Sequence, residues 1–90
     1  MTETRSILVK GIVQGVFYRQ RTKENALRSG ITGEIKNLPD GDVHIFATGT
    51  PEQLEEFVKW CNKGPDTAVV SQVIVEKVPV RNFNSFRIVR

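Results

Sequence analysis

Apolar and polar positions alternate with a period of two over residues 5–13, where Ile7, Val9 and Val13 fall on one side. With β-branched residues at many of these positions, that period predicts a first strand. Helical spacing follows over residues 20–29. Thr22 and Ala26 stand four apart, Leu27 lies beside them, and Gly30 is placed to end the helix. "ITGEIKN" returns to strand character. "NLPDGD" then signals a hairpin, because Pro39 presets a turn and Asp-Gly accepts positive φ. "DVHIFATG" alternates again, with Val43, Ile45 and Ala47 on one face. The second helix is the best-marked element: Thr50 is its N-cap, Pro51 its first residue, and Gln53 completes a capping box. Leu54, Phe57, Val58 and Cys61 then recur at i, i+3, i+4 and i+7, one apolar face that runs up to Gly64-Pro65. "AVVSQVIVEKV" predicts a fourth strand and "SFRIV" a short last one.

The order is βαββαβ plus a short C-terminal strand. That is the split βαβ plan, an α+β ferredoxin-like sandwich with an antiparallel sheet and both helices on one face. Ninety residues make one domain, 1–90, without repeat or linker. A chain of that size buries about 60–65% of its unfolded surface, enough for one modest core.

Composition then removes several classes of function. With 39% hydrophobic and 26% charged residues the chain is globular. No apolar run approaches the ~20 residues of a membrane span. "MTETRS" lacks the apolar centre of a signal peptide, so a cytoplasmic location is expected. Cys61 is the only cysteine and His44 the only histidine. An internal disulfide, a thiolate metal cluster and a multi-histidine metal site are therefore excluded. Strand parity sets His44 opposite Val43 and Ile45, as an exposed residue, and Cys61 reads as an inert core thiol. Asp40 and Asp42 read as turn residues. The net charge of +3 leans toward an anionic ligand, but the basic residues are scattered and ordinary solvated charge explains them equally well.

Candidate chemistry gathers between the first strand and the first helix, in "VQGVFYRQ". A glycine-bearing loop that opens a helix is a natural anion site, because the helix N-terminus leaves N–H groups unpaired and its dipole favours negative charge. Gly15 lets the loop curl so that successive N–H groups point inward. Arg19 at its far end is placed to grip phosphate oxygens through two parallel bonds, with Phe17 and Tyr18 packed beneath. By spacing alone the motif is neither a Walker loop nor GxGxxG, and a tight turn with a surface arginine remains an equal reading.

"GIVQGVFYRQ" resembles the signature of the acylphosphatase family, Gly-x-Val-Gln-Gly-Val-x-(Phe/Tyr)-Arg, with Gly11, Val13, Gln14, Gly15, Val16, Tyr18 and Arg19 in place. The family's second signature, Gly-x-Val-x-Asn before a hairpin, is matched by Gly33, Ile35 and Asn37. Gly64, Pro65 and Ala68 match a later Gly-Pro-x-x-Ala, and Phe86 and Ile88 a final Phe-x-Ile. Glu34 stands where the family usually has an aromatic, beside Asn37, where it is expected to alter the edge of the site. Ile12 replaces a commonly basic residue, and Ile35 a valine.

The resemblance implies a ferredoxin-like fold and metal-independent hydrolysis of acyl phosphates to a carboxylate and inorganic phosphate. It implies that the backbone N–H groups of Gln14, Gly15, Val16, Phe17, Tyr18 and Arg19, with the Arg19 guanidinium, bind the phosphoryl group. It also implies that Asn37 holds the attacking water. No cofactor or metal is called for, the partners are small acyl phosphates and the phosphate product, and a monomer is expected. Asparagine also caps hairpin turns, the plainer role for Asn37. The rival is a non-catalytic module that binds an anion or single-stranded RNA. The same topology hosts RNA-binding sheets, and His44 and Phe46 share a face, but "DVHIFATG" lacks the aromatic run those modules carry.

Overall fold

The computed structural model describes residues 1–90. Its elements are β1 (Glu3–Ile12), α1 (Tyr18–Ser29), β2 (Thr32–Asn37), β3 (Val43–Gly49), α2 (Pro51–Lys63), β4 (Val69–Val78) and β5 (Phe86–Ile88). They form one five-stranded sheet in the order β4-β1-β3-β2-β5. β1 runs antiparallel to β3 and β4, and β2 antiparallel to β3. β5 lies parallel to β2, so the sheet is mixed where a wholly antiparallel one was expected. The cause is topological. β4 and β5 occupy opposite edges, and the chain between them crosses the face that carries no helix. Arg81 marks that crossing: its N–H donates to Thr4 Oγ1 at 2.9 Å, and its carbonyl accepts from Thr48 Oγ1 at 2.8 Å. Thr4 and Thr48 are buried for this reason, on the face opposite Ile7 and Ile45.

The helix-side face carries the core. Ile7, Val9, Ile35, Val43, Ile45 and Ala47 from the central strands pack with Tyr18, Ala26, Leu54, Phe57 and Cys61 from the helices. Each large aliphatic or aromatic side chain buried there stabilises the fold by about 1.5–3 kcal/mol relative to exposure. α1 lies against β2 and β5, and α2 against β1, β3 and β4. No helix is long and apolar enough to cross a membrane.

The helices differ in how closely they follow expectation. In α2, Thr50 Oγ1 accepts from the Gln53 N–H at 3.2 Å, and Gln53 Oε1 accepts from the Thr50 N–H at 2.8 Å. The expected capping box is complete, and Leu54, Phe57 and Cys61 are buried as the spacing requires. α1 starts at Tyr18, two residues before the expected start, and its buried stripe is Tyr18, Thr22 and Ala26. Leu27, expected beside that stripe, is 53% exposed.

Candidate active site

Residues 13–17 join β1 to α1 along a path of alternating handedness. Gly15 has φ 73° and Phe17 φ 64°, while Val16 between them is not in the positive-φ region. Such alternation turns successive N–H groups toward one concave side. Gly15 serves the conformation rather than the space, since nothing lies within 4 Å of where a Cβ would stand. Phe17 adopts the left-handed region without being glycine, at a cost of about 1–2 kcal/mol. It is the N-cap of α1, and no side chain caps that terminus. The first N–H groups of a helix have no partner within the helix, so those of α1 are left for something else.

The loop is held from three sides. Gln14 Nε2 donates to the carbonyls of Leu38 and Asp42, both at 2.8 Å, stapling the loop to the β2–β3 hairpin. Lys10 Nζ meets Asp42 Oδ2 at 2.7 Å, and the carboxylate raises the lysine pKa. Asp42, read as a turn former, is therefore a buried latch between β1 and the hairpin. Thr67 Oγ1 donates to the Val16 carbonyl at 2.6 Å. Below the loop, the Tyr18 hydroxyl donates to the Cys61 carbonyl at 2.8 Å, with the Trp60 ring 5.7 Å away. Gly64 makes room for the Tyr18 ring, because a Cβ there would stand 3.0 Å from it. Burial drives the Tyr18 pKa far up and pushes the Cys61 thiol up to about 12. Neither group can exchange a proton near neutrality.

Gly15, Phe17, Tyr18 and Arg19 line one cleft of about 330 Å³, together with Val13, Gln20, Ile88 and Arg90. The side chain of Gln14 is turned to the hairpin and Val16 packs against the core, so neither lines the cleft. Only their backbones remain available to a ligand. Phe17 does not pack beneath the loop as expected. It is 71% exposed, and Tyr18 alone fills that place.

Asn37 ends β2 and immediately precedes Leu38, whose carbonyl Gln14 grips. It shares the helix-side face with Ile35 by strand parity. Its Oδ1 is buried and has no hydrogen-bond partner. A buried acceptor left without a donor costs about 1–3 kcal/mol. Glu34 has the opposite parity and pairs with Phe46 and Arg87, so it faces away from this end of the helix side. Glu34 is not among the residues that line the cleft.

The helix-free face holds His44, which is half-buried rather than exposed. Its Nε2 lies 2.7 Å from Ser6 Oγ, and its ring meets Phe46 edge-on at 4.6 Å. Desolvation, and then Lys36, lower its pKa. The Arg81 guanidinium stacks over the Phe46 ring at 4.6 Å and occupies the surface on which a nucleic-acid base would have to stack.

The residues that sequence reasoning missed are the loop's supports and its neighbour across the cleft. Gln14 and Thr67 act through side-chain bonds to distant carbonyls, which no local spacing marks. Asp42 gains its role only from the register that sets Val9 opposite Val43. Arg90 lies beyond the last expected strand.

Comparison with known proteins follows the same lines. The family model for acylphosphatase matches residues 5–88. The acylphosphatase of Marinobacter nauticus is 46% identical over 82 residues, covering 90% of this chain and 89% of the relative. Among solved structures, an acylphosphatase from Coxiella burnetii superposes with a TM-score of 0.93 at 34% identity, over 97% of this chain and 92% of that one. The acylphosphatase from Bacillus subtilis gives a TM-score of 0.95 at 31% identity, with both chains covered in full at 100%.

Proposed function

The chain belongs to the acylphosphatase family and has that family's hydrolase activity on small acyl phosphates, and from this premise we propose how its residues divide the reaction. The N–H groups of Gln14 to Arg19 and the Arg19 guanidinium hold the phosphoryl group. Asn37 holds the water. The observation that carries the assignment is the orphaned Oδ1 of Asn37, one residue from the hairpin carbonyl to which the loop is stapled. A buried amide oxygen without a donor is suited to accept a hydrogen bond from a water placed for in-line attack.

The water oxygen bonds to phosphorus as the bond to the acyl oxygen breaks, and the carboxylate departs with that electron pair. Charge spreads over the three equatorial oxygens, where fixed N–H dipoles and Arg19 stabilise it. A carboxylate, whose acid has a pKa of roughly 4, leaves with little help from a general acid. A phosphoryl oxygen takes the water's proton. The substrate thus supplies its own base, and the raised Tyr18 and Cys61 pKa values are no handicap.

The loop, Arg19 and Asn37 all come from one chain, which supports a monomer as the working unit. A lone buried cysteine suits the cytoplasm. Single-stranded RNA binding is disfavoured by the Arg81 guanidinium stacked on Phe46.

The test is hydrolysis of benzoyl phosphate in the presence of a chelator, with inorganic phosphate as a competitive inhibitor. Asn37→Ala should lower kcat by about 10²-fold while leaving phosphate inhibition within about twofold. If Asn37→Ala weakens phosphate binding as strongly as it slows turnover, Asn37 holds phosphate and not water. A wild type inactive under chelator rules out the metal-independent reaction.

A further inference from the structure

The cleft contains a second arginine that neither sequence motif marks. β5 pairs with β2 so that Ile88 stands opposite Ile35, and the ladder continues with a bond from the Val89 N–H to the Ile35 carbonyl at 2.8 Å. Continued for two residues along both strands, that register sets Arg90 opposite Asn37. Residues two apart on a strand share a face, so Arg90 takes the helix-side direction of Ile88. It lines the cleft with Arg19. No Asp or Glu lines that cleft, and neither Arg19 nor Arg90 takes part in any ion pair of the structure. Arg21, two positions along α1, does have a local partner: it meets Glu24 at 3.1 Å.

Two guanidiniums beside one cleft lined by no acidic side chain repel each other, and an anion that touches both relieves the repulsion. We propose that Arg90 is a second phosphate-holding cation, reaching the phosphoryl group from the β5 side while Arg19 reaches it from α1, and that the pair makes the cleft selective for the phosphate dianion. This deepens the reading that the loop is a phosphate cradle and rests on it. Its functional content is a matched charge. The phosphoryl group of an acyl phosphate carries two negative charges at neutral pH, and one arginine balances only one of them. The second cation also lies just past β5, the strand next to that of Asn37, where the attacking water would approach a doubly charged group.

Dianion selectivity can be read without turnover. Inorganic phosphate loses its second proton near neutrality. Its affinity for the wild type should therefore rise about tenfold between about pH 5.5 and about pH 8.5, measured by direct titration calorimetry. Sulfate, a dianion throughout, reports any titration of the protein itself, so the phosphate-to-sulfate affinity ratio isolates the ligand's ionisation. Apart from Arg19 and Arg90, no charged side chain lines the cleft. Arg19, Arg21, Lys23 and Glu24 belong to α1, Asp40 and Asp42 to the hairpin, and Glu34, Lys36 and Arg87 to the opposite face of β2 and β5. His44 lies on that opposite face too, and the Met1 amine precedes the far end of β1.

Arg90→Gln should reduce the rise in the ratio from about tenfold to below about threefold, and Arg90→Lys should retain most of it. Arg87→Gln removes the same charge from the other face and should keep the wild-type rise. A purely structural role for Arg90 would weaken phosphate and sulfate alike at every pH and leave the ratio's slope intact. That result, or a full rise in Arg90→Gln, overturns the proposal alone. A wild type that binds neither anion overturns the phosphate cradle itself and this inference with it.

Discussion

The two helices begin in opposite ways. α2 begins with its terminus closed: Thr50 and Gln53 bond reciprocally, Pro51 gives up an N–H that had no partner, and Glu52 faces the dipole with a carboxylate. α1 begins open. Its N-cap is a left-handed phenylalanine, its first turn holds no acidic residue, and no side chain reaches its N–H groups. The chain can cap a helix fully and does so at Thr50, 33 residues after it leaves the N-cap of α1, Phe17, without any such device. One terminus contributes to stability, and the other forgoes that contribution and is supported from outside by Gln14, Thr67 and Tyr18. The difference separates the residues that hold the fold from those that hold the ligand.

The sharpest way to break this contrast is at Arg19. It bonds to no protein group, so Arg19→Ala should leave the urea midpoint where it was. It should lower kcat/KM for benzoyl phosphate by about 10³-fold, or about 4 kcal/mol of transition-state stabilisation. A loss below about tenfold, or a loss of stability in its place, would make α1 an ordinary helix with a surface arginine.

The same contrast decided what could be read from the sequence. α2 was legible to the residue because its stability is local: the cap, the proline and the i, i+4 stripe are written in consecutive positions. α1 starts two residues ahead of its expected position because a polar N-cap, the local signal of a helix start, is what this helix lacks. The buried stripe is Tyr18, Thr22 and Ala26, and Leu27, expected beside Thr22 and Ala26, is exposed. The loop motif and Asn37 were legible only as two signatures. The staple between them, from Gln14 to the Leu38 and Asp42 carbonyls, spans 24 and 28 positions and leaves no periodic trace. Strand direction was illegible for a similar reason. "SFRIV" reads alike parallel or antiparallel, and only the crossing at Arg81 sets it parallel to β2.

If closed and open termini serve different ends, damage to the closed one should be purely structural. Thr50→Ala removes the side-chain acceptor of the Gln53 N–H and should cost about 1 kcal/mol, seen as a lower urea midpoint with an unchanged m-value. Its kcat/KM under native conditions should equal that of the wild type. A fall in turnover would mean that α2 is coupled to the loop more tightly than the Tyr18–Cys61 bond alone suggests.

The smallest effect comes from making α1 resemble α2. Gln20 lies in the first turn of α1 and lines the cleft. Gln20→Glu gives that turn the carboxylate that Glu52 gives α2. The dipole gain of about 0.3–1 kcal/mol is offset by about 0.2–0.5 kcal/mol of repulsion from Glu24, four residues on, to which Gln20 now donates at 3.3 Å. Stability should therefore rise by no more than about 0.8 kcal/mol. Phosphate affinity should fall by about three- to tenfold at low ionic strength, because the new carboxylate competes for the same positive terminus. Added neutral salt should erase most of both changes, since the groups are exposed. A variant in which helix and ligand gain together would show that the open terminus and the phosphate are not in competition, and the division between the two helices would lose its physical basis.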